Sequence, residues 1–455
     1  MKDWLQQEPI VLASGRGAVL KDVQGRAYLD ANSSIWTNLH GHNHPHLNRA
    51  LRQQLKRVAH TSALGFANPP ASLLAAQLAL LTRSGKAVGP ELVRSFFSDD
   101  GSTALEVALK LAYEFTRRTR GARPAPRFLS LEGAYHGDTI GAVSLGHSPL
   151  FHRSFSGLLF KSDSVMAPYC YRCPFNRASP ERADARTYRS CHWECVGQME
   201  AKLETARRQK RPYSAFAFEP RIQGAAGMIP QPEGWLARTS ALAREHGALL
   251  IADEVMTGFG RTGGNTLFAA LEEGVRPDLL CLAKGLAGGY LPLAVTLTSP
   301  TIFDAFLGEY AEFKTFFHGH SFTANPLAAA TALASLELLT PREARWERKR
   351  LERQLASELT HLWSLPSVGD IRQVGLVVGV ELVRDWTTRE PFALAERAGI
   401  RVCEAMAKRG VLTRPIGNVV VLMPPYCTTP SQLTRIVRSL HDAVVETLGS
   451  PRLSN

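Results

Sequence analysis

IADEVMTGFGRTG (251–263), followed after a short interval by AKGLAGGYLPLAV (283–295), sets the reading of the whole chain. The first block closes the apolar run GALLIAD on Asp253, and the second opens where the apolar run DLLCLA ends on Lys284. A lysine that leaves a buried strand into a Gly-rich turn is partly desolvated. Desolvation favours its neutral amine, which is a nucleophile toward an aldehyde. An acid at the carboxyl edge of a buried strand is costly without a partner. A protonated pyridine nitrogen is one such partner, and a cofactor ring that must accept electrons needs one. A salt bridge or helix cap for Asp253, and a solvated strand end for Lys284, are the plainer readings of each residue taken alone.

Outward from these blocks, RSFFSDD (94–100), RFLSLE (127–132), SAFAFEP (214–220), DLLCLAKG (278–285) and LPLAVTLT (291–298) read as further buried strands, each stopped by Gly, Pro or charge. Thr103 to Arg118 reads as a helix with Leu105, Ala108, Leu109, Ala112 and Phe115 on one face. Strands alternating with amphipathic helices predict an α/β protein with a mostly parallel sheet. Gly101 and Ser102 stand where a strand gives way to that helix. Free N–H groups at such a helix start bind anions, and the alternative is ordinary capping. GAYHGDT (133–139) follows another strand end and offers Tyr135 as a flat platform and Asp138 as an acceptor, or simply a buried Tyr in a turn. After Asn325 a long helix leads toward two more strand candidates, VGLVVGVELV (374–383) and VVVLMPPY (419–426). The expected division is an N-terminal segment 1–55 packed with a small domain, a large domain 56–325, and a C-terminal small domain 326–455.

The 455 residues are 45% apolar and 21% charged, a balance that needs neither disulfides nor metals to hold a core. No run approaches the roughly 18 apolar residues of a membrane span. MKDWLQQEPIV lacks the basic-then-apolar pattern of a leader, so a cytoplasmic protein without membrane contact is expected. Net charge is +12, but the basic residues are scattered. The short cluster RRQKR (207–211) reads as a solvated helix end, and no nucleic-acid partner is expected. Among seven cysteines, Cys170, Cys173, Cys191 and Cys195 have spacings within the zinc range. Their polar, Arg-rich surroundings read as a surface excursion holding reduced thiols or a local disulfide, with a structural zinc as the alternative, and no metal is assigned.

Together these segments resemble the class III aminotransferases, a branch of the fold-type I pyridoxal-phosphate (PLP) enzymes. The resemblance runs from about residue 10 to the end. It rests most specifically on the two opening blocks. It rests also on SSIWTNLHGHNHP (33–45), FFSDDGSTALEVALK (96–110), AYHGDTIGAVSLG (134–146), FFHGHSFTANPLA (316–328) and TRPIGNVVVLMPPY (413–426). It implies a large domain with a mostly parallel seven-stranded sheet flanked by helices, and a smaller α+β domain built from both chain ends.

The resemblance also implies roles. Lys284 holds PLP as a Schiff base and shuttles the proton, Asp253 pairs with the ring nitrogen, and Tyr135 stacks on the ring. Gly101 and Ser102 hold the phosphate, and Ser321 reaches the phosphate in the neighbouring subunit, which implies a homodimer. Small-molecule substrates are contacted by Trp36, Tyr135, Lys284, Gly319 and Arg414, with Arg414 as a carboxylate clamp. Within the class, the motifs are most similar to the branch that aminates 8-amino-7-oxononanoate in biotin biosynthesis, with S-adenosylmethionine as donor. Lysine as donor is the first alternative, and an ornithine-type or 4-aminobutyrate-type ω-aminotransferase the second. Two departures are expected to matter. The resemblance implies an aromatic-rich segment ahead of the point where MKDWLQQEP begins. Where many members have two adjacent Trp, this chain has Ile35 and Trp36, making one pocket wall aliphatic.

Overall fold

The computed structural model describes residues 8–83, 85–121, 124–148 and 152–449. At its centre is a seven-stranded sheet. Its strands lie in the order Arg94–Ser98, Ala294–Thr298, Leu279–Leu282, Leu249–Asp253, Ala215–Phe218, Phe128–Leu131, Asp163–Val165. Pairing is parallel throughout except at Ala294–Thr298, which runs antiparallel to both neighbours. The runs AFAF, LLCL and AVTLT are buried at every position, as expected for strands covered on both faces. One layer of the core lies between this sheet and the helices that carry Leu74, Leu78 and Trp235. The other lies under the Gly101–Arg120 helix.

That helix begins where its sequence dictates. Asp100 caps it by accepting from Thr103 N–H, and Thr103 Oγ1 returns a bond to Asp100 N–H. Arg117, Arg118 and Arg120 fill the last turn, where cations oppose the helix dipole, and Gly121 ends it. Leu105, Ala108, Leu109 and Ala112 are buried, and Phe115 packs against them.

The chain ends meet in a second sheet: Leu12–Arg16, Val19–Asp22 and Ala27–Asp30 form an antiparallel meander, and Val411–Leu412 adds parallel to Ala27–Asp30. A third, antiparallel sheet joins Val368–Val374, Val377–Asp385, Val419–Leu422 and Pro415–Ile416. Two readings need correction. VGLVVGVELV is not one strand, because Gly375 at φ +62° turns the chain and splits the run between two hairpin strands. The helix after Asn325 is two helices, Pro326–Leu339 and Arg342–Leu359, because Pro341 has no N–H to continue the ladder. The basic cluster 207–211 is exposed and starts at the end of the Glu194–Arg208 helix. Among the described residues no helix is long and apolar enough to cross a membrane.

The Gly375 turn seats directly on the Gly-Phe-Gly-Arg-Thr-Gly loop. Leu376 N–H donates to Arg261 O (2.9 Å), and a Cβ at 375 would lie 2.2 Å from Gly263 N. Gly375→Ala therefore combines left-handed backbone strain with a backbone clash. Calorimetry should show a clearly lower thermal midpoint, corresponding to a loss of about 2 kcal/mol or more. An unchanged midpoint would contradict this packing.

Candidate active site

The carboxyl ends of the parallel strands converge on one cavity of about 710 Å³. Asp99–Ser102 follow the Arg94–Ser98 strand, Tyr135–Thr139 follow Phe128–Leu131, and Glu219 follows Ala215–Phe218. Asp253 ends its own strand, and Lys284 follows Leu279–Leu282. The antiparallel strand contributes from its start, through Leu291, Pro292 and Leu293. Trp36 and Thr37 form part of the wall, brought in from the N-terminal region.

Lys284 is held at φ +42°, an uncommon conformation for a residue with a side chain. Its Nζ lies 5.2 Å from the centre of the Trp36 ring. Burial lowers its pKa, and the nearby charges of Asp253 and Glu219 only partly oppose that. The neutral amine is thus favoured at a lower pH than in a solvated lysine.

Asp253 is 4% exposed. Its Oδ2 accepts from His136 Nδ1 (2.8 Å) and its Oδ1 from Val255 N–H (3.0 Å). Burial pulls His136 down, but the hydrogen bond and charge of Asp253, with Glu219 beyond, outweigh it and raise its pKa. Glu219 is buried too. Desolvation and the Asp253 charge push its carboxyl upward, although Oε2 accepts from Gly224 N–H. His136 and Glu219 were not singled out from the sequence. Glu219 carried the same signal as Asp253, an acid closing a buried strand; His136 carried none beyond standing next to Tyr135. Of the Asp-Glu pair, only Asp253 lines the cavity. Glu254 turns away, accepts from Ala269 and Ala270 N–H, and is pushed up to about 8 by burial.

Tyr135 lines the cavity, donates to Asp138 Oδ2 (2.8 Å) and stacks on His152. Gly101 and Ser102 open the helix at the cavity edge, where first-turn N–H groups have no intrahelical acceptor. Ser102 Oγ meets Thr139 Oγ1 (2.9 Å) and accepts from Thr139 N–H (2.9 Å). Gly101 has no room for a side chain: a Cβ there would be 2.5 Å from Val255 Cγ1. The set suits a flat phosphorylated heterocycle. It offers N–H donors for the anion, a buried carboxylate for a ring nitrogen, an amine that burial shifts toward its neutral form for an aldehyde, and a Glu219 Oε1 in the cavity wall without a partner among the described residues.

Three expected residues lie elsewhere. Gly319 and Ser321 are exposed on the segment before the Pro326–Leu339 helix, where Ser321 O accepts from His60 Nε2 (2.9 Å). Arg414 is exposed, two residues before Ile416 and Gly417. Those two residues line a neighbouring cavity of about 680 Å³ that shares Ala225 with the first. Ile35 is 48% exposed and is not part of the first cavity's wall. Cys170, Cys173, Cys191 and Cys195 border a void of about 20 Å³ away from the site, all as free thiols. Among the described residues no group of three or more His, Cys, Asp or Glu is disposed to hold a metal ion.

The wall carrying Trp36 is unusual. Ser33, Ser34, Ile35 and Trp36 have φ of 47°, 47°, 64° and 69°, one full turn of left-handed helix without a glycine. Such a turn costs about 1–2 kcal/mol per residue, and most at a β-branched residue such as Ile35.

Three comparisons bear on this site. The family model described as Aminotransferase class-III matches residues 1–444. Adenosylmethionine-8-amino-7-oxononanoate aminotransferase of Nitratidesulfovibrio vulgaris is 47% identical, over 98% of this chain and 79% of that relative. The crystal structure of the Methanocaldococcus jannaschii protein of that same name superposes with a TM-score of 0.88 at 37% identity, covering 98% and 95% of the two chains. An amine transaminase from an uncultivated Pseudomonas species, in its PLP-bound form, superposes at 0.87 with 32% identity over 98% and 96%.

Gly101→Ala should push Val255 into the cavity and weaken binding of a phosphate-bearing ligand at least tenfold in an equilibrium titration. Wild-type affinity in that variant would remove the helix start from the anion site.

Proposed function

The chain belongs to the class-III aminotransferases, PLP-dependent enzymes, and from that membership we propose that it aminates 8-amino-7-oxononanoate to 7,8-diaminononanoate, with S-adenosylmethionine as donor, in biotin biosynthesis. The observation that carries the proposal is the convergence of Lys284, Asp253, Tyr135 and the Gly101–Ser102 helix start on one cavity. The substrate names come from the relatives' names, and lysine remains the alternative donor.

When bound, PLP supplies an electron-accepting ring that makes the proton on the carbon bearing the amino group removable. The chain's residues do the rest. The Gly101 and Ser102 N–H groups would hold the phosphate, and Tyr135 would flank the ring. Asp253, held by His136, would keep the ring nitrogen protonated. Lys284, whose burial favours the neutral amine, would take the proton from the substrate carbon and hand it back on the cofactor's side of the nitrogen. Trp36 closes the cavity over the amine and excludes water. Arg414, beside the adjoining cavity, binds a substrate carboxylate.

We place Ser321 and Gly319 at the second subunit's site in a homodimer. Phe313, Phe317 and Phe322 are 64%, 67% and 56% exposed on this segment, and Leu64 and Phe66 are 62% and 72% exposed. Apolar exposure of this density on one region fits a buried interface. Phe317→Asp should shift the protein toward monomer in sedimentation velocity and lower cofactor affinity in the same step. A variant that stays dimeric with full affinity would remove this interface.

Lys284→Ala is expected to lose turnover by more than a thousandfold while still binding PLP. Near-normal activity would overturn the proposed chemistry. Purified enzyme given 8-amino-7-oxononanoate and either S-adenosylmethionine or lysine should form diamine only with the first. Product with lysine alone would reassign the donor, and no product with either would reassign the acceptor.

A further inference from the structure

The left-handed turn Ser33–Trp36 raises the question of what holds it, because the backbone of four L-residues favours the opposite hand. The answer lies in one buried carboxylate. Asp30 ends the Ala27–Asp30 strand and is 3% exposed. Its Oδ1 accepts from Asn32 N–H (3.2 Å) and Ser34 N–H (3.1 Å). Its Oδ2 accepts from Ser34 Oγ (3.0 Å) and His42 Nε2 (2.9 Å). Four donors fill the acceptor capacity of one carboxylate, and two of them come from the strained turn itself. Asn38 Nδ2 lies 3.1 Å from His42 Nδ1, so His42 accepts there and donates to Asp30 from its other nitrogen. The far side is pinned as well, since Ser33 Oγ donates to Met423 O (2.6 Å) and Trp36 Nε1 to Asn32 Oδ1 (2.9 Å). Neither Asp30 nor His42 lines the cavity, yet the turn they hold delivers the Trp36 ring to 5.2 Å from Lys284 Nζ.

We propose that Asp30, braced by His42, is a positioning residue: its carboxylate locks Ser33–Trp36 in the left-handed turn and so sets the Trp36 ring over the Lys284 amine. This rests on the functional reading above and adds to it a distant determinant of pocket geometry. Strain of this kind persists only where surrounding bonds over-determine it. Removing the carboxylate frees the turn to relax to the right-handed region, which carries the indole away from the amine.

The test uses holoenzyme variants. Asp30→Ala is expected to lower kcat/KM at least tenfold. It should also reduce the visible circular dichroism band of the bound cofactor, measured without substrate, to the level seen in Trp36→Ala. The thermal midpoint should stay within a few degrees of wild type. In a Trp36→Ala background, Asp30→Ala should cost less than a further twofold, because both changes remove the same contact. Ile35→Gly, which tolerates positive φ, should behave as wild type, whereas Ile35→Pro, whose φ is fixed near −65°, should reproduce the Asp30→Ala loss. Additive losses in the double variant, or an unchanged dichroism band in Asp30→Ala, would overturn the proposal. If Asp30→Ala does not fold, Ser34→Ala and Ile35→Pro decide by the same readouts. The dichroism band needs only cofactor, so a wrong substrate assignment leaves this result intact, and a protein that takes up no cofactor would instead refute the functional reading.

Discussion

A lysine amine cannot stay charged in an apolar interior without compensation, and the site is organised around that constraint. Burial holds Lys284 toward its neutral form, while Asp253 and Glu219 stand close enough to limit the shift. The same acids must be accommodated in their turn. Asp253 is met by His136, and Glu219 is pushed toward its protonated form by burial and by the Asp253 charge. The charge of Asp253 thus acts on amine, imidazole and the second carboxyl alike.

Sheet direction is what brings these groups together. In a parallel sheet every strand delivers its carboxyl end to the same edge, so residues more than a hundred positions apart become neighbours. Ser102, Tyr135, Glu219, Asp253 and Lys284 all arrive this way. The reversed strand Ala294–Thr298 keeps the pattern, because an antiparallel strand begins at the edge where its neighbours end. The helix start at Gly101 then needs only to lack a side chain for Val255 to pack against it.

Much of this was legible in the sequence, for identifiable reasons. Fully apolar runs such as LLCL and AFAF announce strands, and the residue that breaks each run announces what reaches the edge. Lys284 and Asp253 stand out because a charge directly after such a run has a physical cost. His136 gave no such signal, since its importance comes from a partner 117 residues away. The handedness of Ser33–Trp36 was illegible for a different reason: the segment has no glycine, and the bonds that impose its shape come from Asp30 and Met423. The split of VGLVVGVELV at Gly375 was hidden because the apolar pattern continues through the turn. Arg414 and Ser321 were named from family motifs rather than from local chemistry, and the single chain places both outside its own cavity.

The pinning of the turn has a consequence for biosynthesis. Ser33 bonds to Met423 O, Met423 N–H donates to Ala31 O, and Arg261 spans from Asn38 O to Pro424 O. The segment that roofs the amine thus precedes the lysine in the chain but is fastened by residues 390 positions further on. During synthesis the lysine and the anion-binding helix are therefore made before the residues that tie the roof down, so the roof closes only after the core of the site has been translated.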